Sequence, residues 1–214
     1  MSAPKVLLVD YGLGNLRSVE MALKHVGAEV VLQREQWGVD SRFSHIILPG
    51  VGAFPEGARR LRNLGLDASI IESAQQGRPI LGLCLGMQLL FESSSEHEGD
   101  IPGLGLIPGR VEALKDISRV APLEGTKFPH IGWSEVEALE QGGSKTISLP
   151  SAKYYFVHSF AVEAGNPSTL ATAKHAGIEF AAEVGQGATR GVQFHPEKSG
   201  TDGLRLLTEF LNIT

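Results

Sequence analysis

The chain has 214 residues, 42% of them hydrophobic and 20% charged, with a formal net charge of −5, which suits a single domain over residues 1–214 with a sizeable core. Such a mildly acidic chain has no global electrostatic footprint for nucleic acid or an anionic membrane, and its lone cysteine excludes a disulfide-stapled secreted scaffold. No apolar run approaches the roughly 18 residues of a membrane span, the start MSAPKVLLVD is too short in apolar residues for a signal peptide, and the expectation is a cytoplasmic protein.

The elements alternate through the first half. Residues 5–10 (KVLLVD) are a short continuous apolar run, as in a strand buried on both faces. After the turn YGLGN, the residues Leu16, Val19, Leu23 and Val26 recur at helical spacing up to Gly27. AEVVL (28–32) and HIILPG (45–50) read as the second and third strands. Residues 54–64 and 67–76 read as helices, the second with Asp67 as N-cap and Gly77 as stop. PILGLC (79–84) is a fourth strand running into a helix over LGMQLLFESS (85–94). This pattern predicts a flavodoxin-like α/β fold, a doubly wound, mostly parallel sheet with helices on both faces. From about residue 103 to 193 the chain turns β-rich (RVEAL, SEVEAL, YYFVHSFAV, STLATAKH, IEFAAEV, GVQFH), and these segments read as strands and hairpins on the same sheet. An amphipathic helix over 201–212 follows.

Cys84 lies in Gly82-Leu83-Cys84-Leu85-Gly86, a G-x-C-x-G at a strand–helix junction. That is the thiol counterpart of a nucleophile elbow, in which glycines let the chain turn sharply beneath the nucleophile. The helix that follows favours a thiolate, and the Leu85 N–H can serve an oxyanion. The alternative is a small buried apolar residue. Of the seven histidines, His195 stands out. In an extended segment residues two apart share a face, so Glu197 can sit beside the His195 imidazole, with Pro196 stiffening the link. A carboxylate on one ring nitrogen leaves the other to face a thiol. The alternative is a strand-end histidine with a surface glutamate. LPGVGAF (48–54) ends the third strand, and Gly50, Val51 and Gly52 can turn backbone N–H groups toward a ligand at the carboxyl edge of the sheet. A peptide flip there would make or unmake an oxyanion hole. GLGNLR (12–17) lacks the third glycine of a dinucleotide fingerprint. No histidine or cysteine pair has metal-ligand spacing, so neither metal nor cofactor is expected.

With GLCLGMQLLFE (82–92), LPGVGAF (48–54) and HPE (195–197) in place, the chain resembles the class I glutamine amidotransferases. DYGLGNLRSV (10–19), PHIGW (129–133) and YYFVHSF (154–160) extend the likeness over nearly the whole chain and point to one branch of the family. The resemblance implies glutamine hydrolysis to glutamate and ammonia. In it Cys84 attacks the side-chain amide, His195 is base and then acid, and Glu197 orients His195. Leu85 and the 50–52 segment would form the oxyanion hole, and Gln88, Glu96, His158, Ser159 and Phe160 would line the glutamine pocket. It further implies a (β/α)8-barrel cyclase subunit as partner in a heterodimer, with ammonia passed between the two, and places Asn15, Trp133, Tyr155 and Lys198 at that interface. A stand-alone thiol hydrolase and a non-catalytic regulatory subunit remain as rival readings.

Overall fold

The computed structural model describes residues 3–38, 43–97, 99–117, 123, 125–139 and 151–213. Its first strands are β1 (Lys5–Val9), β2 (Glu29–Gln33), β3 (His45–Leu48) and β4 (Ile80–Leu83), separated by α1 (Leu16–His25), α2 (Phe54–Asn63) and α3 (Leu66–Gln75). The short helix α4 (Leu85–Leu89) leads into β5 (Phe91–Ser94), β6 (Ile101–Pro102) and β7 (Ile107–Ala113). The remaining strands are β8 (His130–Ala138), β9 (Ala152–His158), β10 (Phe160–Ala161), β11 (Thr169–His175), β12 (Ile178–Gln186) and β13 (Thr189–Val192). A 3-10 turn at Pro196–Lys198 and α5 (Gly200–Leu211) complete the order.

Among the described residues nine strands form one sheet in the order β2-β1-β3-β4-β13-β12-β11-β8-β9. The pairings from β2 to β13 are parallel and those from β13 to β9 antiparallel. Side chains alternate across this sheet and build two cores. Val6 and Leu8 of β1 pack with α1 through Val19 and Leu23, and with α5 through Leu206, Leu207 and Phe210. Leu7 and Val9 face the other side, toward Phe54, Ala58 and Leu61 of α2 and Leu66 and Ile70 of α3. Burial on both faces is why β1, β3 and β4 read as unbroken apolar runs.

Three expectations are corrected. The helix expected over 85–94 stops at Leu89, and Phe91–Ser94 is a strand. The carbonyl of Leu90 accepts the N–H groups of Leu106 and Ile107, and β5 pairs with β7 from Phe91 opposite Ile107 onward. These long-range bonds outweigh a locally helical pattern. Second, the β-rich half does not all join the main sheet, because β10, β7, β5 and β6 form a separate four-stranded sheet. The run YYFVHSFAV therefore breaks at Ser159, where the chain leaves the large sheet for the small one. Third, the N-cap of α3 is Gly65, at φ +65°, rather than Asp67. Asp67 instead places its negative charge in the first turn, which suits the helix dipole. Gly77, at φ +75°, closes that helix as expected.

Candidate active site

Cys84 follows β4 at φ +53° and ψ −108°, a conformation costly for any residue with a side chain. Two glycines hold it there. A Cβ on Gly86 would lie 1.8 Å from the Leu48 carbonyl oxygen, and one on Gly82 would lie 2.7 Å from the Gly86 backbone. Both positions thus require glycine by close backbone approach. The Cys84 N–H donates to the Val192 carbonyl at 2.8 Å, tying the elbow to β13.

β13 delivers the histidine. Pairing of Leu83 with Val192 brings the segment after β13 alongside the elbow. The His195 N–H donates to the Tyr155 carbonyl at 2.9 Å, and the Ser199 hydroxyl donates to the His195 carbonyl at 2.6 Å. His195 Nδ1 lies 2.9 Å from Glu197 Oε1, with the two side chains 4% and 2% exposed. The pairing is as expected, but its route differs: Glu197 reaches the ring through the 3-10 turn, not along an extended strand. Nε2, the other ring nitrogen, is buried and has no hydrogen-bond partner among the described residues. Burial alone pushes the imidazole pKa down. The neighbouring Cys84 and Glu197 outweigh it and raise His195 to about 9.

A cavity of about 360 Å³ opens over the elbow. Gln88, Glu96, His158, Ser159 and Phe160 line it together with Cys84, Leu85, Val51 and Gly52. Gly50 is buried beside it, and a Cβ there would meet the Tyr11 hydroxyl at 2.2 Å. Glu96 is set by α2, whose Phe54 N–H donates to Glu96 Oε2 at 2.7 Å. The cavity also draws in Pro129 and Val157, which the sequence marked only as parts of PHIGW and YYFVHSF, with no role at the site.

Of the expected interface residues, Trp133, Tyr155 and Lys198 cluster. The Trp133 and Tyr155 rings meet edge-on at 6.0 Å, and Lys198 Nζ lies 5.6 Å over the Tyr155 ring. Trp133 is 55% exposed. Asn15 is exposed at the N-cap of α1, outside this cluster. Three polar residues at the site went unforeseen. The buried Tyr11 donates its hydroxyl to the Pro49 carbonyl at 2.8 Å, and burial, then the charge of Cys84, raises its pKa. Gln193 Nε2 lies 3.7 Å from Cys84 Sγ. His130 Nδ1 lies 3.0 Å from His158 Nε2. Gln193 had one legible signal: it stands two residues before His195 and so shares its face. Of the remaining histidines, His25 and His97 are exposed, and His45 and His175 make contacts away from the elbow. His45, for example, meets the Ser44 hydroxyl and the Ile213 carbonyl. Among the described residues no group of three acidic, histidine or cysteine side chains is placed to hold a metal ion.

The family model for class-I glutamine amidotransferase matches residues 7–213. The imidazole glycerol phosphate synthase subunit HisH 1 of Pseudomonas aeruginosa is 43% identical over 208 residues, covering 96% of this chain and 95% of that protein. HisH of Listeria innocua is 39% identical over 209 residues, covering 98% and 96%. Among solved structures, a glutamine amidotransferase superposes with a TM-score of 0.70 at 20% identity, over 97% of this chain and 99% of that one. PurLQS from Thermotoga maritima gives 0.69 at 20% identity, over 98% of each chain. The two structural likenesses show the fold, and the sequence relatives go further: this chain belongs to the class-I glutamine amidotransferases, among the HisH subunits of imidazole glycerol phosphate synthase.

Proposed function

We propose that the chain, acting as one catalytic domain, hydrolyses L-glutamine to L-glutamate and ammonia as the glutaminase subunit of an imidazole glycerol phosphate synthase in histidine biosynthesis. The observation that carries this is the junction of β4 and β13, where a strained Cys84 elbow and a buried His195–Glu197 pair meet beneath one cavity. With His195 raised to about 9, its imidazolium is the prevalent form at neutral pH, so Cys84 stands beside a proton donor.

The Cys84 sulfur attacks the glutamine Cδ, and the carbonyl π electrons move to oxygen. Backbone N–H groups of Leu85 and of the Gly50–Gly52 segment hold that oxyanion. The tetrahedral intermediate collapses, the C–N bond breaks, and His195 gives its proton to the leaving nitrogen. Neutral His195 then takes a proton from water, whose oxygen attacks the thioester and releases glutamate and the thiolate. Glu197 keeps Nδ1 protonated and Nε2 aimed at the sulfur throughout. Gln88, Glu96, His158, Ser159 and Phe160 hold the substrate.

The HisH relatives are named as subunits, which supports an assembly. We assign the partner as a (β/α)8-barrel cyclase that takes the ammonia, docked over Asn15, Trp133, Tyr155 and Lys198. The test is glutamate release from glutamine by the chain alone, and by the chain with the cyclase subunit and its nucleotide-derived substrate, each beside Cys84→Ala. Activity that rises with the liganded partner and vanishes with Cys84→Ala is the expected result. Equal activity with and without partner would instead identify a stand-alone thiol hydrolase, and no activity in any condition a binding protein.

A further inference from the structure

The nucleophile has a polar neighbour besides His195. Gln193 is fully buried, and its side-chain nitrogen lies 3.7 Å from Cys84 Sγ. Which end of a buried amide faces the sulfur is decided by the groups around it. Here one group that cannot donate settles the matter. The Phe160 carbonyl oxygen lies 2.9 Å from the Gln88 side-chain amide, so that contact must be the Gln88 NH₂. The same NH₂ lies 3.0 Å from the Gln193 amide, which therefore turns its oxygen toward Gln88 and its own NH₂ toward the sulfur.

Phe160 is held from the other side as well. His158 Nδ1 lies 2.9 Å from the same carbonyl and must donate to it, leaving His158 Nε2 as acceptor. His130 Nδ1 donates to that Nε2, and the Ser134 hydroxyl donates to His130 Nε2 at 2.9 Å. Burial pushes both imidazoles down, His158 to about 3 and His130 to about 4, so both are neutral and each has one donor and one acceptor. Every bond from Ser134 to the sulfur then has one direction. The outer end, Ser134, lies in a surface cleft next to Trp133.

We propose that Gln193 is a further catalytic residue, its amide N–H donating to the Cys84 thiolate, in an orientation dictated by the Phe160 carbonyl through Gln88. A donor held on the sulfur favours the anion that attacks, and charge-assisted bonds of this kind are worth more than neutral ones. The inference rests on the reading of Cys84 as nucleophile given above. The titratable groups around the sulfur are His195 and Tyr11, with His158 and Glu96 across the cavity, and substitution of Gln193 leaves all four in place.

Cys84 is the sole cysteine, so its alkylation by iodoacetamide can be followed against pH without glutamine turnover. Gln193→Met keeps the volume and removes the donor. Gln193→Glu keeps the acceptor for Gln88 and replaces the donor with a negative charge. The pH midpoint of alkylation should rise by about one unit or more in Gln193→Met, the size expected for a lost hydrogen bond to an anion, and at least as far in Gln193→Glu. Should Gln193→Met fail to fold, Gln193→Glu decides. A midpoint unchanged from wild type in the folded variants overturns the proposal. Because alkylation does not need turnover, absent glutaminase activity in the wild type would overturn the earlier reading alone.

Discussion

Burial alone would discharge His195; the Cys84 and Glu197 charges keep it protonated up to about pH 9. The charged ring gives its full contribution to stability below its unfolded value near 6.5, and that contribution is lost as pH rises through about 9. In the proposed mechanism the same deprotonation removes the acid for leaving ammonia, so glutaminase activity should fall above pH 9. Glu197→Gln replaces a charge-assisted bond by a neutral one. It should move the alkaline limb of the kcat profile down by about one to two pH units and lower the melting temperature more at pH 6 than at pH 10. A limb left at the wild-type pH would show that the carboxylate does not set the ring. The Cys84 elbow and the His195–Glu197 contact were legible because their cues are local: two glycines flank Cys84, and Glu197 is two residues from His195. Tyr11 and Gln193 were not singled out, since their partners Pro49 and Cys84 lie 38 and 109 residues away in sequence, a distance across which no pattern in one chain reports contact.

The elbow shows the same division between elements. G-x-C-x-G announced a sharp turn, but not what the glycines make room for. Gly86 sits in α4 against the carbonyl of Leu48, the last residue of β3, so Gly86→Ala forces the start of the helix away from the end of that strand. Gly77 is different: it has φ +75° and open space where a Cβ would stand, and Gly77→Ala meets only the left-handed cost of roughly 1–2 kcal/mol. Urea unfolding should therefore show a modest loss for Gly77→Ala, and for Gly86→Ala either no cooperative transition or a loss of more than about 3 kcal/mol. Comparable losses would mean the helix can move off the strand at the elbow. Buried parallel strands were legible from their continuous apolar runs. α4 and β5 were not, because LGMQLLFESS suits either state over a few residues and the choice was made by β7, more than ten residues further on.

At the scale of the molecule, the arrangement of strands departs from their order along the chain. β13, the last strand of the described chain, lies between β4 and β12 and joins the parallel half of the large sheet to its antiparallel half. Alternation of strands and helices foretold a parallel sheet, but the insertion of this final strand could not be read, because strand order is set by pairings with no local signature. A chain ending at Gln186 lacks β13 and His195, leaving the inner edge of β4 without its partner. Such an open apolar edge recruits other chains. The shortened protein should sediment as aggregate, whereas a soluble monomer would mean that β4 and β12 close on each other. During synthesis, Cys84 emerges 111 residues ahead of His195 (195 − 84 = 111), an interval on the order of ten seconds at ordinary translation rates. For that time a nascent chain holds its thiol without the His195–Glu197 pair, and the site proposed above is complete only once the central strand has been inserted between β4 and β12.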